Sequence, residues 1–126
     1  MTISLNVPNL TIYGNRILLE SIFRNLIDNA IAYSGATEMN IIADADGSFT
    51  ISDNGCGIAS EHLPHIFERF YRVDKGRSRA AGGTGLGLSI VGNAVAIHGG
   101  DIKAESAGGL TYRFRLKVNK NVTKSS

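Results

Sequence analysis

The chain has 126 residues, enough for one domain with a hydrophobic core. With 43% hydrophobic and 19% charged residues it is composed like a globular protein, and a formal charge of +2 is too small to suit a nucleic-acid or anionic-membrane partner. The single cysteine, Cys56, excludes an internal disulfide and fits a reducing compartment, and no apolar run reaches the length of a membrane span.

The opening "MTISLNVPNL" has neither the basic region nor the apolar core of a signal peptide. "ISLNV" and "LTIYG" read as two short strands around Pro8. Asn15 is placed to cap a long helix over residues 16–33, which Gly35 ends. Leu19, Ile22, Phe23, Leu26, Ile27, Ala30 and Ile31 recur at helical spacing and predict its apolar face. "MNIIADA" and "SFTISD" predict a hairpin turning at Asp46-Gly47. "SEHLPHIFERFYR" predicts a short helix capped by Ser60. Residues 73–84 are basic, small and glycine-rich, with little to bury, and read as a mobile loop. A second long helix runs over residues 86–97 and ends at His98-Gly99-Gly100. "DIKAES" and "TYRFRLKV" are closing strands, and residues 119–126 form a frayed tail. This order suits a two-layer α/β sandwich rather than a Rossmann fold, because the glycine-rich loop does not follow the first strand.

Four stretches could carry chemistry. Asn25 and Asn29 lie four apart on the first long helix and share a face. Two amides there could offer carbonyl oxygens to a hard cation such as Mg²⁺, or form a polar helix edge. In "SDNGCGI", Asp53 ends a strand, where a carboxylate can accept from a ligand amine, and Gly55 and Gly57 keep the approach clear; an ordinary turn is the alternative. Between these glycines, Cys56 reads as a small packing residue. "HIFERFYR" sets Phe67, Phe70 and Tyr71 beside Arg69 and Arg72, which could pair with phosphate. In "GGTGLGLSIV" four glycines run into a helix, a backbone suited to a sharp turn or to an anion.

In this order, "RNLIDNAIAYS", "SDNGCGI", "IFERFYRVD" and "GGTGLGLSIV" resemble the N, G1, F and G2 boxes of sensor histidine kinases, of the phosphate-sensor type most closely, across residues 6–118. The resemblance implies the Bergerat fold: a mixed sheet of about five strands with about three helices on one face. ATP would lie under a lid formed by residues 73–84, and residues 1–126 would be one domain. It implies that Asn29 ligates Mg²⁺ with Asn25 in support, that Tyr33 packs on adenine, and that Asp53 reads the adenine amine. Gly55, Gly57 and Ile58 would line the base, and Arg69, Tyr71 and Arg72 would approach the phosphates. Gly83, Thr84, Gly85, Leu86, Gly87 and Leu88 would wrap the triphosphate. Asn25 and Arg69 are the catalytic candidates.

The activity implied is phosphoryl transfer from ATP to a histidine on a separate dimerisation domain, and thence to a response regulator. The expected setting is the cytoplasmic part of a membrane-anchored sensor, with this piece itself monomeric and outside the membrane. The pattern departs at four points. His62, His65 and His98 lie in no phosphoacceptor motif, and Ala32 stands where the N box carries a cation. Gly92-Asn93 replaces a basic pair, and Leu110 replaces a threonine. A standalone protein-serine kinase of the anti-sigma-factor type and a non-enzymatic ATP-binding module share this fold. The former carries glutamate where this chain has Asn25, and an amide cannot act as general base.

Overall fold

The structure, a computed structural model, describes residues 2–8, 12, 14–32, 35–69, 71 and 87–117. Five strands form one sheet: β1 (Thr2–Asn6), β2 (Glu38–Ala43), β3 (Ser48–Asp53), β4 (Ile102–Ser106) and β5 (Leu110–Arg115). Their spatial order is β1-β2-β3-β5-β4. β1 runs parallel to β2, and every other pair is antiparallel. Two helices, α1 (Arg16–Ala32) and α2 (Gly87–Ile97), pack against each other. The mixed five-stranded α/β architecture agrees with the sequence expectation.

Strand alternation explains why the helices share one face. Met39, Ile41 and Ala43 of β2 are buried, as are Phe49 and Ile51 of β3 and Leu110, Tyr112 and Phe114 of β5. Their neighbours in sequence point to the opposite, wetter face. The helices answer with Ile22, Leu26 and Ala30 from α1 and Val91, Ala94 and Val95 from α2. Phe23 of α1 meets Phe49 and Phe114 of the sheet, with ring centroids 5.5 and 6.1 Å away.

The helix ends follow their local chemistry. Asn15 Oδ1 accepts the Leu18 N–H at 3.1 Å, an N-cap that satisfies one free donor of the first turn. Gly35, at φ +65°, turns the chain out of α1. At the end of α2, Gly99 has φ +78°, its N–H donates to Ala96, and the Gly100 N–H donates to Val95, which is a Schellman motif. The expected hairpin turns at Gly47, where the Ser48 N–H donates to Asp46 Oδ1 and Arg115 pairs with Asp46 at 2.8 Å.

Three expectations need correction. Ile31 is 52% exposed instead of sitting in the apolar face. At 100° per residue it lies roughly 140° from the centre of the Ile22–Leu26–Ala30 stripe, so spacing from Ile27 alone carries it too far around. The described residues of the segment 60–71 form no α-helix with a Ser60 cap. They form a chain of turns around a 3₁₀ piece, Leu63–His65, whose N-cap is His62 without a side-chain bond. Their backbone bonds close over three residues: His65 to His62, Glu68 to His65 and Tyr71 to Glu68. Among them Ile66 is buried and Phe67 half-buried, while Glu68 and Arg69 are exposed. Among the described residues there are therefore two α-helices, not three. Cys56 is exposed rather than packed. Of "LTIYG", residues 10, 11 and 13 lie outside the described residues, and Ile12 forms an isolated bridge.

Candidate nucleotide-binding site

Asp53, the last residue of β3, is held by two backbone donors. Its Oδ1 accepts the Gly55 N–H at 2.8 Å and the Leu110 N–H at 3.2 Å. Its Oδ2 is the only buried side-chain oxygen or nitrogen among the described residues that lacks a hydrogen-bond partner. The loops on either side are built to hold this carboxylate in place. Gly109, at φ +136°, lies so close that a Cβ would collide with the Asp53 carbonyl. Gly57, at φ +74°, lies where a Cβ would meet Ser106 Oγ, which accepts the Ile58 N–H at 2.9 Å. The conformation of Gly57 is thus demanded by the fold itself. Ile58 is buried in the core, and Leu110 holds Asp53 through its backbone while its side chain is fully buried.

Asn25 and Asn29 are both half-buried on α1, one turn apart. Asn25 Nδ2 donates to the Ser21 carbonyl at 2.8 Å, and its Oδ1 would lie 3.3 Å from a Cβ on Gly87, the first residue of α2. Asn29 Nδ2 donates to the Tyr112 hydroxyl at 3.0 Å. Tyr112 is fully buried, and burial, followed by the charge of Asp53, pushes its phenol well above the ordinary range. The sheet and α1 thereby bring Asn29, Tyr112 and Asp53 together, and Asn25 joins the start of α2. Leu88 is partly buried against the core.

The aromatic segment lies in two layers. Phe67 meets Tyr112 edge-on at 6.3 Å and would be 3.4 Å from a Cβ on Gly92 of α2. Tyr71 bonds His62 Nδ1 through its hydroxyl at 2.6 Å and stacks on His65 at 5.3 Å. Arg69 is exposed. Tyr33, Arg72, Gly83, Thr84, Gly85 and Leu86, and with them the expected lid over residues 73–84, lie outside the described residues. The side chain of Ala32 does too.

Sequence reasoning missed three residues that shape the site. Tyr112 reads as an ordinary inward strand position in "TYRFRLKV", and nothing in the alternation marks its hydroxyl. Ser106 reads as a strand end. Asn54 reads as a turn residue, yet its Oδ1 accepts the N–H groups of Thr37 and Glu38 and its Nδ2 donates to Thr37 Oγ1. Those bonds tie the loop after Asp53 to the start of β2.

A mixed sheet under two helices, with a buried carboxylate at the end of one strand and two amides on the facing helix, defines a nucleotide-binding domain of the histidine-kinase kind. Residues 14–120 match the family described as histidine kinase-, DNA gyrase B-, and HSP90-like ATPase, and the chain belongs to that family. It is 43% identical over 111 residues to the sensor-like histidine kinase SenX3 of Mycolicibacterium smegmatis, covering 85% of this chain and 29% of that one. It is 40% identical over 123 residues to the phosphate regulon sensor protein PhoR of Haemophilus influenzae, covering 94% of this chain and 26% of that one. The chain thus spans less than a third of the length of these relatives. Among solved structures, the ATP binding domain of PrrB from Mycobacterium tuberculosis superposes with a TM-score of 0.75 at 28% identity, covering 94% of this chain and 81% of that one. No helix among the described residues is long and apolar enough to cross a membrane.

Proposed function

We propose that the chain is the nucleotide-binding catalytic domain of a two-component sensor histidine kinase, binding Mg-ATP for transfer of its terminal phosphoryl group to a histidine on a separate dimerisation domain. The observation that carries this reading is the buried, unpartnered Oδ2 of Asp53. Such an atom is costly to leave without a donor, and the exocyclic amine of adenine is a donor of the right kind. Two backbone N–H groups fix the other oxygen, so the carboxylate can tell an amine from a carbonyl without turning.

The amides suit Mg²⁺, a hard cation that takes oxygen ligands. Asn25 must turn Nδ2 to the Ser21 carbonyl, which leaves its Oδ1 for a ligand near the start of α2. Asn29 would be the principal ligand and Asn25 the supporting one. When bound, Mg²⁺ supplies charge neutralisation on the phosphates. The chain's own residues position the base and the metal ligands. Ile58, Gly55 and Gly57 would border the base, Gly87 and Leu88 begin the helix on the phosphate side, and Arg69 and Tyr71 shortly precede the expected lid in sequence. The amide at Asn25 does not act as a general base, which favours a histidine acceptor elsewhere over water or a serine hydroxyl. The dimerisation domain, a response regulator acting through it, and a place on the cytoplasmic side of a membrane-anchored sensor complete the proposal.

The test is transfer in trans. The purified chain with labelled Mg-ATP is expected to carry no stable label itself, because His62, His65 and His98 lie in no phosphoacceptor motif. Addition of a cognate helical-hairpin domain is expected to yield acid-labile label on that domain. Label on this chain alone, or none on the hairpin, would overturn the assignment.

A further inference from the structure

We propose that Tyr112 is a positioning residue of the nucleotide site: its buried hydroxyl, turned by Asp53, accepts the Asn29 Nδ2–H and so keeps Asn29 Oδ1 available to the metal. The inference rests on the nucleotide-site reading above and adds to it a residue outside every motif that marks the site.

An asparagine amide has an acceptor at one end and two donors at the other, in nearly the same shape. Only the acceptor end serves a hard cation. At Asn25 the Ser21 carbonyl decides the orientation, because a carbonyl can only accept. At Asn29 the partner is a hydroxyl, which can donate or accept, so the orientation depends on where the phenol proton goes. The sheet register supplies the answer. Tyr112 is paired with Ile51 of β3, and Asp53 lies two residues along on the same face, a diagonal neighbour of Tyr112. The Oδ2 of Asp53 is buried and has no partner among the described residues. No hydrogen bond joins it to the phenol, so Oδ2 stays open, but the negative charge of Asp53 acts on the buried phenol and favours its proton end facing the carboxylate. The lone pairs of the hydroxyl then face Asn29, and Nδ2 is the end that they hold. One residue of β5 therefore joins the base-reading carboxylate to the metal ligand.

Tyr112→Phe keeps the ring and removes only the hydroxyl. Calorimetry of ATP binding to the whole chain, with Mg²⁺ and with EDTA, separates positioning from packing. The wild-type chain is expected to bind ATP more tightly with Mg²⁺. Tyr112→Phe is expected to lose about three- to tenfold of that gain, the worth of one neutral hydrogen bond, with EDTA affinity unchanged. Asn29→Ala is expected to lose most of the gain. A second readout needs no nucleotide: the Asn29 side-chain N–H₂ resonances in the unliganded protein are expected to shift in Tyr112→Phe, and in Asp53→Asn with Tyr112 intact. A wild-type chain with no Mg²⁺ gain overturns the site reading and the inference with it. A wild-type gain that Tyr112→Phe leaves whole, an equal loss with and without Mg²⁺, or unmoved Asn29 resonances overturns the inference alone.

Discussion

At the residue scale, the chemistry turns on what a buried polar atom does without a partner. Asp53 presents one satisfied oxygen and one bare one, and the proposed reading of adenine rests on this asymmetry. Asp53→Asn is expected to weaken ATP binding by about ten- to hundredfold, as loss of a charge-assisted bond is worth roughly 1.5–3 kcal/mol. GTP is expected to lose less, because its base presents a carbonyl where adenine presents an amine. Calorimetric affinities for both nucleotides decide the matter, and equal losses would make Asp53 a purely structural residue. The position of Asp53 was legible in the sequence, since a carboxylate ending an alternating strand before "NGCG" stands out. Its bare oxygen was not, because that depends on Gly109 and Leu110, more than fifty residues away and brought alongside by the β3–β5 pairing. Tyr112 was illegible for the same reason: alternation shows that it points inward but says nothing about which side chain its hydroxyl meets.

At the element scale, boundaries were legible where one residue fixes them. Asn15 and Gly35 bracket α1, and Gly99 closes α2, through bonds that any chain with those residues can make locally. The segment 60–71 was misread because Phe67 and Tyr71 stand four apart, a helical spacing, whereas the backbone bonds of its described residues close over three. The contact between the two helix ends could not be read at all. His98, just after α2, accepts the Asn15 N–H through Nε2 at 2.9 Å and donates from Nδ1 to the Ala94 carbonyl at 2.7 Å, which sets the neutral tautomer. Gly14 lies flat against that imidazole, where a Cβ would overlap the ring. Gly14→Ala must displace the ring and break the bond to Asn15, so a loss of about 1 kcal/mol in unfolding free energy is expected from overpacking and the lost hydrogen bond. Urea unfolding is expected to show a lower midpoint at an unchanged slope. A wild-type midpoint would mean that the two helix ends are not coupled through His98.

At the scale of the whole molecule, the β2–β3 hairpin was legible and the mixed sheet followed from the family resemblance, but the placement of β5 between β3 and β4 was not. That placement makes the site, because it sets Tyr112 and Leu110 against the end of β3 and beneath α1. The site's parts come from residues 25–29, 53–58 and 106–112 and the start of α2, so the unfolded chain has no site to offer. A ligand that binds only the folded form stabilises it in proportion to occupancy, by about 2.7 kcal/mol at a hundred times Kd. For a domain of this size each kilocalorie raises Tm by roughly 3–5 °C. Saturating Mg-ATP is therefore expected to raise Tm by about 8–13 °C, a product of those two figures. Asn29→Ala is expected to lower this increment in Mg²⁺ but not in EDTA, because it removes a metal ligand. Asp53→Asn is expected to lower it under both conditions, because it acts on the base. Scanning calorimetry with matched nucleotide concentrations reads all of these. If Tm stays unmoved by Mg-ATP at millimolar concentration, these distant segments do not assemble a nucleotide site. If both variants respond alike in Mg²⁺ and EDTA, the division between a base end at Asp53 and a metal end at Asn29 is wrong.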